Sequence, residues 1–98
     1  MKNGQRFDIQ ERTFEFTVRV VKLVDQLPRT TAGIVIGRQI VRSATSIGAN
    51  VEEADAAESK QDFIHKMSIA HKEARETRYW LRIIQTSLFN DDNVQALL

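Results

Sequence analysis

His71, Arg75, Arg78 and Arg82 recur at spacings of four, three and four, which sets them in one row along an α-helix. Guanidinium groups at that repeat can each meet a phosphate, and neutralised phosphates supply much of a protein's affinity for a nucleic-acid backbone. The same row can equally be solvated, or pair with Glu73 and Glu76. On the opposite flank of the helix, Ile69, Glu73, Glu76, Trp80 and Ile83 form a second row, with two carboxylates between large apolar residues. Carboxylates in that setting need a cation. Arg38 or Arg42 upstream can supply one, within a subunit or across an interface. A carboxylate pair can also do acid–base work, but neither a nucleophile nor a glycine-rich loop accompanies this one. Ion pairing is the better reading, and no catalytic residue is assigned.

Metal chemistry finds little support. His65 and His71 point about 120° apart once whole turns are subtracted, so they do not chelate together. Di-iron bundles use Glu-x-x-His on two helices, and Asp62-x-x-His65 is a single imperfect echo. No metal and no cofactor is expected. Trp80, beside Tyr79, can stack on a base, but its place in an apolar row marks it as core or interface. The chain reads as non-enzymatic.

Composition limits the rest. A chain of 98 residues suits one domain, spanning 1–98, and a chain of that size buries roughly two thirds of its unfolded surface. The net charge of +1 marks neither an acidic tail nor a strongly basic module, so any charge-driven function must come from how charge is distributed. Cysteine is absent, which removes disulfides and thiolate sites and suits a reducing compartment. No apolar run exceeds three residues, as at Ile34 to Ile36, far below the ~20 needed to span a bilayer. The start MKNGQRFDIQER has no apolar h-region. A cytoplasmic protein without a membrane partner is expected.

The rows above need helices to carry them. Asp8 is placed to cap a first helix running to about Leu27, before Pro28. That helix has two apolar rows, one of Phe14, Val18 and Val21, the other of Phe16, Val20, Leu23 and Leu27. Phe14 and Phe16 lie about 200° apart, so a single contact cannot cover both rows, and more than one neighbour is expected. Thr30 or Thr31 can cap a second helix from about Gly33 to Ala56, although Ile34 to Ile36 can alternatively form a short strand. Ile40, Ala44, Ile47, Val51 and Ala54 make its apolar stripe, and Ser43, Ser46, Asn50 and Glu53 follow one position behind. Small and polar side chains there invite close approach by another helix. Gly33 and Gly37 fit the same close approach, and Gly48, costing ~1 kcal/mol inside a helix, suggests a packing reason of its own. Ser59 and Asp62 resemble a capping box opening a third helix, whose seam runs Phe63, Met67, Ala70, Ala74, Thr77, Leu81, Ile84 and Leu88. Asn90 to Asn93 breaks the pattern, and Asp91 or Asp92 can cap a short fourth helix.

RQIVRSATSIGANVEEA followed by SKQDFIHKMSIAHKEARETRYWL resembles the 23S rRNA-intervening-sequence family, relatives of the accessory protein of diversity-generating retroelements. The resemblance covers roughly Phe14 to Leu88. Its signature positions fall on Arg42, Ser43, Ala44, Ser46, Ile47, Asn50, Glu53, Phe63 and Ala70. It implies an all-α, antiparallel up-down bundle that assembles into a pentameric ring, with suspected binding of RNA or DNA and no catalytic residues. Family members carry a complete fourth helix, whereas here that helix is short or truncated, leaving the seam between helices one and three partly uncovered. Two function classes follow: an oligomeric nucleic-acid-binding adaptor using His71, Arg75, Arg78 and Arg82, or an interaction ring with no nucleic-acid role. The direction of the arginines discriminates them.

Overall fold

The computed structural model describes residues 3–88 and 92–98. Its elements are α1 Asn3–Val24, α2 Thr31–Asp55, α3 Lys60–Ile83 and the short α4 Asp92–Leu97, with a π-helical stretch, Ile84–Leu88, continuing α3. No strand occurs among the described residues, and Ile34 to Ile36 are helical.

Local chemistry explains most boundaries. The Thr30 hydroxyl accepts from the Gly33 N–H at 3.1 Å, which fixes the start of α2. Ser59 does the same for Asp62 at 3.0 Å at the head of α3. Before Pro28 the chain tightens, with Gln26 donating to Leu23 and Leu27 to Val24. Proline has no N–H with which to continue a helix. α1 therefore ends at Val24 rather than Leu27, although Leu27 is still buried. Asp8 is not a cap. It lies inside α1 and pairs with Arg12 one turn on, at 3.5 Å. Asp92 is the first residue of α4 rather than its cap, and Asp91 falls outside the described residues.

Short connections lay α1, α2 and α3 up, down and up, and α2 packs on both neighbours, most extensively on α3. Val20 and Leu23 of α1, and Leu27 just beyond its end, meet Ile40 and Ala44 of α2, with Leu81, Ile84 and Val94, in one buried cluster. Direct packing of α1 on α3 is slight, and α4 sits against α1. The bundle is elongated, 44 × 22 × 17 Å. Only one of the two apolar rows of α1 is buried here. Phe14 stays 62% exposed and Val21 42% exposed, while Val20 and Leu23 are inside.

Two glycines of α2 stand where the end of α1 and the following connection leave little room. A Cβ on Gly37 would stand 3.2 Å from Val24 Cγ1, and one on Gly33 would overlap the Pro28 carbonyl oxygen. Gly48 is different. A Cβ there would meet Thr17 and Thr13 hydroxyls at 3.7 and 3.9 Å, ordinary contact, so packing does not require glycine at that position, contrary to expectation. Two substitutions should therefore move in opposite directions in thermal unfolding. Gly33→Ala should destabilise by about 1–3 kcal/mol, because a backbone oxygen cannot move aside, and Gly48→Ala should stabilise by ~0.5–1 kcal/mol through helix propensity.

Candidate nucleic-acid interface

The site is built on α3 and held in place by α2. Between them, Ser43 and Thr77 are both almost fully buried, and their hydroxyl oxygens share a hydrogen bond of 2.8 Å. Each hydroxyl also lies within reach of a carbonyl on its own helix, Ile40 at 3.3 Å for Ser43 and Glu73 at 2.8 Å for Thr77. Large side chains would hold the helices apart at this level. Ser46 and Asn50 continue the row half-buried, with Asn50 Nδ2 donating to the Ser46 carbonyl and hydroxyl at 2.9 and 3.2 Å.

Arg42 reaches across from α2 to both carboxylates of α3. It pairs with Glu73 at 3.5 Å and with Glu76 at closer range. Of the two arginines proposed as partners, the one on the α3 side of α2 makes the contact, within a single chain. Glu76 also accepts from the Trp80 indole N–H at 3.0 Å. The Arg42 side chain is half exposed, so the pair itself is worth only ~0–1 kcal/mol. Its effect is positional, since it fixes where Glu76, and therefore Trp80, can lie. Trp80 packs against the core cluster, as its apolar row implied.

Further down the interface, Lys66 meets Glu53 at 2.7 Å. The hydrogen bond to Glu53 holds the Lys66 ammonium above the ordinary lysine value of 10.5, helped by the Glu53 charge and, less, by Asp62, against some desolvation.

Charge is thus sorted around α3. Its three carboxylates, Asp62, Glu73 and Glu76, are half-buried, and the last two are engaged by Arg42 from α2. His71, Arg75, Arg78 and Arg82 are exposed, and none makes an ion pair among the described residues. They point away from Glu73 and Glu76. Lys72 and Tyr79 are exposed beside them. Sequence reasoning missed two features. Thr77 was counted as one more seam position, although a lone hydroxyl in an apolar seam signals a buried partner. Tyr79 enters the sequence reading only as the neighbour of Trp80, although it keeps the helical period with Arg75 and Arg82.

Three long helices packed up, down and up, with a short fourth against the first, define an all-α helix bundle. The chain belongs to the 23S rRNA-intervening sequence protein family, whose model matches residues 5–98. Among solved structures it is similar to a crystal structure of a protein with unknown function from the S23 ribosomal protein family, from Bacteroides thetaiotaomicron. The two are 42% identical, with a TM-score of 0.81 over 91% of this chain and 83% of that one. No curated protein matches the chain. No helix among the described residues is long and apolar enough to cross a membrane.

The buried hydroxyl pair should act as a unit. Thr77→Val should cost about 1 kcal/mol in denaturant unfolding, and Ser43→Ala with Thr77→Val should cost less than the sum of the single changes by ~0.5–1 kcal/mol. Strict additivity would show that the two hydroxyls do not interact.

Proposed function

We propose that this protein is a non-enzymatic, homo-oligomeric adaptor that binds nucleic acid, RNA foremost, through the outer face of α3. The observation that carries the reading is the segregation of charge on that helix. A row of exposed cations, His71, Arg75, Arg78 and Arg82, faces solvent, while the nearby carboxylates Glu73 and Glu76 are turned aside and engaged by Arg42. A row so arranged matches a polyanion, where each neutralised phosphate adds affinity. One such row in a chain of net charge +1 gives modest affinity, and repeating it around an oligomer raises the effective concentration of each further contact.

Self-association is supported by the apolar surface that one chain leaves uncovered. Phe14 and Val21 of α1, with Ile34 and Val35 of α2, are all more than 40% exposed, and large apolar side chains left outside in this number support an interface with a further chain. The pentameric ring expected from the family resemblance is one closed arrangement that covers such a face. An interaction ring without nucleic acid would use the same apolar residues, but would have no use for a row of unpaired arginines.

Replacing Arg75, Arg78 and Arg82 with glutamine should leave the helical circular-dichroism signal intact. Binding to structured RNA should fall, to a similar degree for different sequences, and its salt dependence should become shallower. Equal binding by the triple variant and the wild type at matched salt would leave the interaction ring as the reading. In sedimentation, the wild type should be oligomeric at micromolar concentration and Phe14→Glu with Val21→Glu should shift it towards monomer, weakening RNA binding without touching the arginines.

A further inference from the structure

Tyr79 is 56% exposed on α3, among the cations of the proposed binding face. Arg75 precedes it by four residues and Arg82 follows it by three, so both are its neighbours on the helix surface. A single exposed tyrosine is unremarkable; what sets this one apart is how it is held. Its ring meets Trp80 edge-on, with centroids 5.4 Å apart and planes at 64°. Trp80 is fixed in turn by packing on the core and by its N–H bond to Glu76 at 3.0 Å, and Glu76 is bound by Arg42 of α2. The ring is therefore a braced aromatic surface standing in a cationic field.

Phosphate binding alone has no need of such a surface. Duplex stacks its bases inward and offers a side chain only backbone and groove edges, whereas an unpaired base can leave the stack and lie on an aromatic ring. Bracing lowers the entropy lost when the ring is engaged. We infer that Tyr79 is a stacking platform for an unpaired base, so that the ligand of this face is single-stranded or looped nucleic acid rather than uninterrupted duplex. The inference rests on the nucleic-acid reading above and narrows it.

Fluorescence anisotropy with the full chain tests it, using two labelled probes at matched salt: a short unstructured uridine-rich RNA and a blunt RNA duplex of equal length. The wild type should bind the single strand more tightly. Tyr79→Leu should weaken single-strand binding by about 5- to 100-fold, the range of one lost base stack, and leave duplex binding and the salt slope unchanged. Tyr79→Phe should bind like the wild type. Trp80, the one tryptophan of the chain, supplies a readout that needs no variant: its emission should change on adding the single strand and not on adding the duplex. Equal wild-type affinity for both probes would overturn the inference, as would unchanged single-strand binding in Tyr79→Leu or equal losses on both probes. If the Arg75, Arg78 and Arg82 triple variant loses binding while Tyr79→Leu keeps it, the stacking inference fails and the nucleic-acid reading stands. If the wild type binds neither probe at low salt, both fail.

Discussion

The close approach of α2 and α3 is the constraint on which the rest of this protein depends. It is possible because the level of contact is lined by Ser43, Ala44 and Thr77 rather than by large side chains, and the bond between the two hydroxyls gives that approach a register. The two hydroxyls meet only in this register, although each also has a carbonyl of its own helix within reach. Sliding α3 by one turn would move Thr77 away from Ser43 and Glu76 away from Arg42 together. Register and charge arrangement are thus one specification.

From that register follows the different fate of the two signs of charge on α3. Glu73 and Glu76 fall within reach of Arg42, and the arginines of the same helix do not fall within reach of any described carboxylate. No member of the basic row has a carboxylate three or four residues away on α3, so the spacing itself leaves the row without an intrahelical partner, while Glu73 and Glu76 fall on the side that meets α2. α2 answers the acidic side of α3 and leaves the basic side outside. The proposed binding face is set by the spacing of the basic row along α3.

Much of this architecture is legible in the sequence. The starts of α2 and α3 follow from Thr30 and Ser59, because a hydroxyl ahead of an apolar period is a local signal that needs no tertiary context. The apolar rows of α1 are equally plain, and their unequal burial is a fact of which neighbours are present. Other features resist. Asp8 has the chemistry of a cap, but a residue caps only if the chain before it leaves the helix, and here helix already runs from Asn3. The π stretch at Ile84–Leu88 is hidden because Ile84 and Leu88 keep the spacing of an ordinary seam. Gly48 reads as a packing requirement, yet only the distance to Thr13 and Thr17 shows that space is free. Arg38 and Arg42 are one turn apart and chemically identical, so choosing between them needs the angle at which α3 crosses α2.

A near-zero net charge conceals what the sorting of ions does to the molecule as a whole. With cations standing along one side of α3 and its carboxylates drawn towards α2, that helix is electrically asymmetric across its axis although the chain's net charge is only +1. Such an object feels little net pull from a distant polyanion but a definite torque, and torque aligns a particle before touching begins. Approach to a polyanionic surface then becomes a matter of orientation first and attraction second, with the arginine side arriving foremost. Ion-exchange retention, which reports the face presented and not the sum of charges, would register this protein as more basic than its composition.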